Sequence, residues 1–511
     1  MRRLLLALTL CLALAQPALA KERKAKPKPV PVVDLSAAAA NAASAAAMRH
    51  LDVIARLDDA PGGPQLNAVI VTNPSAPGEA ARLANVGRLK GRTVLVKDNV
   101  ETREWATTAG SLALKDNKTG RDAPLVARIR ADGGVVLGKT NLSEWANIRS
   151  PSSSSGWSGV GGQTKNPHAT DRNPCGSSSG SGSAVAAGMA WAAVGTETDG
   201  SITCPASASG IVGFKPTVGM VSRTFVVPIS HSQDTAGPMA TSVTDAAMLL
   251  NAMAGSDPAD PATLEADKRK TDFTAGLGLS SLKGVRIGVL QKQSGKHPGV
   301  NRVFDRALAD LSAAGAVLVP ITYDFPEELG RDEGVVLYFE LREDLNAYLA
   351  GLPGAPPVRS LADVIMFNKD HANEELRWFG QETFIKAETP VDRAIYEKAR
   401  ANSLRLAGPE GIDKLMTDNK VVALIAPTEG PAWPIDLVTG DHSMAVGAGT
   451  LAAVAGYPHL TVPMGDVEGL PVGLSFIGAK WSDKAVLELG AAYERARTVT
   501  LKAPGFRRWG E

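Results

Sequence analysis

Short β-branched runs separated by helix-length segments constrain this chain more than any other feature. Thr93 to Val96 is an apolar run of strand length. Asp122 can cap a following helix with Pro124 in its first turn, Gly133-Gly134 can end it, and Val135-Val136-Leu137-Gly138 reads as the next strand. Strand, helix, strand, with no polar alternation, is the pattern of parallel strands buried on both faces in an α/β sheet. The rhythm returns with Val285 to Leu290, a helix around Asn301 to Ala314, and Ala316 to Ile321. Val421 to Ala426, His459 to Pro463 and Pro471 to Ile477 are further strand candidates, and a helix is expected from Ser482 to about Arg497. From about 324 to 411 the chain is more charged and aromatic with few strand signals, which reads as a helical excursion over the sheet.

Composition matters here for what it excludes. With 54 basic and 53 acidic residues among 511, the chain has no electrostatic footprint for nucleic acid or an anionic membrane. Residues 1–20 read as a signal peptide. Arg2 and Arg3 are followed by an apolar run too short to span a bilayer, and Ala18-Leu19-Ala20 supplies small residues for cleavage near Ala20. Residues 21–33 (KERKAKPKPVPVV) read as a basic, Pro-rich linker. The mature protein is therefore expected to be exported, periplasmic or secreted, with no membrane segment. It would keep two cysteines, Cys175 and Cys204, which are expected to be buried thiols, with a disulfide between them as the alternative that export to an oxidising compartment permits.

Between Ser150 and Ser183, 11 of 34 residues are Ser and 7 are Gly, which composition alone reads as a flexible linker. Trp157 inside the stretch and an Ala-rich helical run after it, Ala184 to Val194, argue instead for a loop that brings small hydroxyls and backbone N–H groups to a ligand. No G-x-x-x-x-G-K-[ST] pattern accompanies it, which disfavours a nucleotide. The seven histidines have no metal-ligand spacing, so neither a metal nor another cofactor is expected. Gly176-Ser177-Ser178-Ser179-Gly180 fits G-x-S-x-G, with Ser178 at the elbow position of an α/β-hydrolase. The residues before it lack the buried strand an elbow needs. A triad of Ser178 with His442 beside Asp441, or with His459, remains an alternative. Lys97 offers different chemistry. An amine at the end of an apolar strand has its charged form disfavoured, and moving its pKa from about 10.4 to about 7.5 costs on the order of 4 kcal/mol. A neutral lysine could then deprotonate a serine without histidine.

Several blocks together resemble the amidase signature family in order and spacing. They are Val94-Leu95-Val96-Lys97-Asp98-Asn99, Gly138-Lys139-Thr140-Asn141, Gly176-Ser177-Ser178-Ser179-Gly180-Ser181-Gly182-Ser183, Gly195-Thr196-Glu197-Thr198-Asp199-Gly200-Ser201-Ile202 and Gly213-Phe214-Lys215-Pro216-Thr217. The resemblance implies a single large domain over 34–505, with a mixed central β-sheet flanked by helices. It implies a Ser-cisSer-Lys triad of Ser201 as nucleophile, Ser177 as the proton bridge after a cis peptide, and Lys97 as base. The backbone of Thr198, Asp199, Gly200 and Ser201 would form the oxyanion hole. Asp199 stands where many members have glycine, and Thr203 where many have arginine. The Glu-Thr-Asp-Gly-Ser block, Ser155 to Trp157 and Ser230 to Met239 look most like the bacterial peptide amidases, which act on the C-terminal amide of peptide amides. A peptide or small-molecule amide is thus the expected partner. Aryl or fatty amides are the broader alternative, and export argues against a role in tRNA-dependent amidation.

Overall fold

A computed structural model describes residues 35–511, so the expected signal peptide and linker lie outside the described residues. The chain forms the strands β1 (Val69–Thr72), β2 (Thr93–Lys97), β3 (Val135–Thr140), β6 (Ala192–Glu197), β7 (Val212–Lys215), β8 (Thr235–Ala240), β9 (Arg286–Leu290), β10 (Val317–Ile321), β11 (Leu424–Pro427), β12 (His459–Val467) and β13 (Leu470–Ile477). They form one sheet in the order β1-β3-β2-β6-β8-β7-β12-β13-β11-β9-β10. A two-stranded ribbon, β4 (Trp157–Ser158) with β5 (Gly162–Gln163), lies apart from it.

The sheet is mixed. β3, β2 and β6 run parallel, as do β11, β9 and β10. The strands between the two blocks, and the β1 edge, pair antiparallel. Helix Pro124–Ala131 makes the crossover from β2 to β3, and helix Pro298–Ala313 the one from β9 to β10. The strand–helix–strand rhythm marked β2 with β3 and β9 with β10, and the later apolar runs marked β11, β12 and β13, but β1, β6, β7, β8 and the antiparallel pairing of the centre went unannounced. Strand alternation divides the core. Val94 and Val96 of β2 pack with one apolar cluster, together with Val126, Leu250 and Leu460, while Leu95 packs with another that holds Ala47, Leu137 and Ala184. Because side chains two apart share a face, Lys97 follows Leu95 toward the side covered by helix Ser179–Ala186. The excursion is helical as expected, with Glu327–Ala350, Leu361–Asp370 and Arg393–Ala407 its longest helices. No described helix is long and apolar enough to cross a membrane.

Two local expectations need correction. Asp122 does not cap helix Pro124–Ala131. Its carboxylate accepts from the Arg103 N–H (3.0 Å) and lies 3.1 Å from the Arg130 guanidinium. The Ala-rich run is not one helix either. The helix starts earlier, inside the Ser/Gly stretch, and ends at Ala186; Gly188 then takes a φ of 73° and Ala192 begins β6. Nor is the Ser/Gly stretch a linker. Ser179, Ser181 and Ser183 are fully buried, and their hydroxyls donate to the carbonyls of Cys175 (2.7 Å), Val194 (3.0 Å) and Lys165 (2.8 Å). A Cβ on Gly180 would meet Ala68 O at 2.3 Å. Small residues let this helix lie directly on the sheet backbone, with each buried hydroxyl satisfied.

Candidate active site

The apolar strand β2 ends in a fully buried amine. Lys97 Nζ donates to Ser177 Oγ (2.8 Å), Thr196 Oγ1 (2.8 Å) and Thr196 O (3.2 Å). Thr196 Oγ1 is itself held by Asn99 Nδ2 at 2.9 Å, which fixes the lysine's partner. Burial lowers the Lys97 pKa to about 7, against the opposing pull of the Asp234 and Glu197 carboxylates. Ser177, also fully buried, follows the cis peptide Gly176–Ser177. The Ser178 N–H donates to Ser201 O (3.1 Å), which draws the loop before helix Ser179–Ala186 against the turn after β6. Ser201 keeps 8% of its surface open, whereas Ser177 and Lys97 keep none. The contact through the Ser178 N–H thus brings the slightly exposed Ser201 close to the buried Ser177–Lys97 pair.

The turn Thr198-Asp199-Gly200-Ser201 offers unspent donors. Glu197 Oε2 accepts the N–H groups of Ile202 (2.8 Å) and Thr203 (3.0 Å), as well as the Thr203 hydroxyl (3.3 Å). The N–H groups of Asp199, Gly200 and Ser201 find no acceptor among the described residues. Gly200 has a φ of 76°, which a residue with a Cβ adopts only at a cost. On the turn's other side, Thr198 Oγ1 donates to Asp234 Oδ1 (2.6 Å), and burial raises the Asp234 pKa to about 6. Asp199 Oδ2 accepts from Thr450 Oγ1 (2.8 Å); burial, with Glu333 nearby, holds its carboxyl well above the usual range.

The Ser178 alternative has no support in this geometry. Its hydroxyl is fully buried, donates to Thr196 O (3.1 Å) and accepts from Thr196 N–H (3.2 Å). His459 is buried with Nε2 2.6 Å from Ser475 Oγ, and burial lowers its pKa to about 3. His442 is exposed, beside Thr439 Oγ1 (2.7 Å). Asp441 instead accepts from Ser155 N–H (3.0 Å), Ser155 Oγ (2.5 Å), Asn173 Nδ2 (3.0 Å) and Trp433 Nε1 (3.1 Å). The ligand atoms of His231, Glu340 and Asp344 lie within 4.8 Å of one another. The two imidazole nitrogens face different carboxylates, Nδ1 at 2.9 Å from Asp344 and Nε2 at 3.3 Å from Glu340. Glu340 also accepts from Tyr396, Ser230 and Ser232, so the contacts of the cluster are those of a hydrogen-bonded ion-pair network.

The expectation of two free thiols is overturned. Cys175 and Cys204 form a disulfide with Cα atoms 6.0 Å apart, packed with Trp433 and Ala208. The cause is the contact between Ser178 and Ser201, which brings the flanking segments together. Reduction opens a loop with a sequence separation of 29 that carries both serines at its ends. It should lower stability by about 3–4 kcal/mol in the loop-entropy model, and activity should fall at temperatures where the fold persists. Ammonia release and circular dichroism before and after reduction check this. Full activity in the fully reduced, folded protein would separate the bond from the site.

Sequence reasoning missed Glu197, Thr196, Asn99 and Asp234. The first two stand inside the Gly195–Ile202 block and Asn99 closes the Lys97 block, but their role of holding other groups in place leaves no pattern of its own.

The profile of the family described as Amidase matches residues 55–487. A probable amidase of Arabidopsis thaliana is 38% identical over 476 residues, covering 89% of this chain and 87% of that protein. One subunit of the glutamyl-tRNA(Gln) amidotransferase of Cupriavidus metallidurans is 34% identical over 482 residues, covering 89% and 94%. The crystal structure of native peptide amidase from Stenotrophomonas maltophilia superposes with a TM-score of 0.86 at 46% identity, covering 94% of this chain and 99% of that one.

Proposed function

Because the chain belongs to the amidase signature family and is a hydrolase of amide C–N bonds, we propose that it removes the C-terminal amide of peptide amides through a covalent acyl-enzyme, releasing ammonia. Ser201 Oγ attacks the carboxamide carbon. Its proton passes through Ser177 to neutral Lys97, and the developing oxyanion is held by the backbone N–H groups of the 198–201 turn. Collapse breaks the C–N bond, and the proton returns along the same path to the leaving nitrogen, so it departs as ammonia. A water activated by the same relay then hydrolyses the ester. The observation that carries this reading is the buried Lys97–Ser177 bond of 2.8 Å beside the partly open Ser201.

The peptide-amide specificity rests on likeness to the Stenotrophomonas enzyme along nearly the whole of both chains. The leader-like residues 1–20 support action outside the cytoplasm, periplasmic or secreted, which favours this reading over partnership with the translation machinery. A panel of peptide amides, free fatty amides and anilides, with ammonia or amine release measured, tests it. Peptide amides should give the highest kcat/KM; a preference for anilides or fatty amides would replace the specificity while leaving the chemistry intact.

A further inference from the structure

The start of helix Glu327–Ala350 and the segment 445–450 flank an open cavity of about 380 Å³ that the relay above does not use. Phe325, Pro326, Leu329 and Val446 give it apolar walls. Thr450 joins it to the site, since the Thr450 hydroxyl donates to Asp199 Oδ2 (2.8 Å), two residues before Ser201.

Two features of this cavity have no explanation within the chain. Gln293 lines it and is 7% exposed. Its Nε2 donates to Tyr323 O (3.0 Å), which sets the orientation of the amide, and its Oε1 is buried without a hydrogen-bond partner. A buried acceptor left unpaired is costly, and a ligand donor would relieve it. Gly330 also lines the cavity, inside a helix, where glycine is disfavoured. A Cβ there would meet nothing within 4 Å, so no neighbour in the chain demands glycine. Gly330 is exposed, so the space in front of it is the open mouth of the cavity, which a side chain there would narrow.

We infer that this cavity receives the side chain of the residue whose carboxamide is cleaved, and that it selects an aromatic ring bearing an O–H or N–H donor, as in tyrosine or tryptophan. The inference rests on the peptide-amide reading above. The volume lies at the small end of ligand pockets, which suits one side chain. The walls suit a ring, and Gln293 Oε1 supplies the acceptor that a ring donor needs.

The test compares kcat/KM for Ala-Tyr-NH2, Ala-Phe-NH2 and Ala-Ala-NH2, by ammonia release, in wild type, Gln293→Leu and Gly330→Leu. Wild type should prefer the tyrosine over the phenylalanine amide by roughly three- to tenfold, one neutral hydrogen bond, and Gln293→Leu should bring the two together. Gly330→Leu, which has room for its side chain and improves helix propensity, should lower the aromatic-to-alanine ratio by about tenfold or more. Ammonia release with both ratios unmoved overturns the cavity assignment alone. No ammonia from any of the three with wild type overturns the peptide-amide reading, and the cavity assignment with it.

Discussion

Ser201→Ala should release no measurable ammonia, a loss of about 10⁵-fold or more in kcat, while the protein remains folded. The expectation of folding follows from which atoms of Ser201 carry structure: its carbonyl accepts the Ser178 N–H, and alanine keeps that carbonyl. The neighbouring serines should order differently. Ser177→Ala breaks the path to Lys97 and should be nearly as damaging. Ser178→Ala removes a hydroxyl that both donates to and accepts from the Thr196 backbone, so its cost falls first on stability, about 1–3 kcal/mol, with more activity retained. Burst measurements with an activated acyl substrate, beside denaturant midpoints for each variant, check the ordering. If Ser178→Ala were the most damaging, the nucleophile would have to be reassigned.

How much of this was legible in the sequence depends on how local each device is. Lys97 was legible because five consecutive residues, Thr93 to Lys97, record both the strand and its polar end. The strand and helix bounds around 286–321 and 459–496 came within a few residues, since each apolar run packs on a face whose period is written along the run. The antiparallel centre was not legible, because pairing direction depends on which distant strand comes to lie alongside. The Ala-rich run misled for a related reason. Alanine favours helix locally, yet Ala192, Ala193 and Val194 pair with Met239 and its neighbours on β8, and that tertiary pairing overrides propensity. The disulfide hung on the same kind of knowledge, since only the meeting of the Ser177 and Ser201 segments brings Cys175 to Cys204. Glu197 is the sharpest omission. It looks like one acid within a signature, but its carboxylate occupies the Ile202 and Thr203 amides and so orders the turn that holds Ser201.

Lys97→Met should lower kcat by about 10³- to 10⁴-fold and erase the acidic limb of the pH–rate profile. Wild-type activity should rise through pH 7, because burial places the Lys97 pKa at about 7 and only the neutral amine can take the proton from Ser177. Two raised carboxyls lie close by, Asp234 at about 6 and Asp199 held well above the usual range by burial and Glu333, so an acidic limb that survives in the variant would belong to one of them. Stability should respond through the same group. Between about pH 7 and 10.5 the unfolded chain holds a proton on this lysine and the folded chain does not, so wild-type stability rises with pH across that window. Below about 7 the cost of charging the buried amine is present in full, up to about 5 kcal/mol. As pH rises toward 10.5 it disappears. Methionine removes the cost but also removes the lysine's hydrogen bonds to Ser177 and Thr196, so the change with pH is a cleaner readout than the absolute shift. The stabilisation from Lys97→Met, read from denaturant midpoints, should be larger at pH 6 than at pH 9. Equal differences at both values, with the acidic limb of wild type intact in the variant, would mean that Lys97 stays charged and that the base is another group.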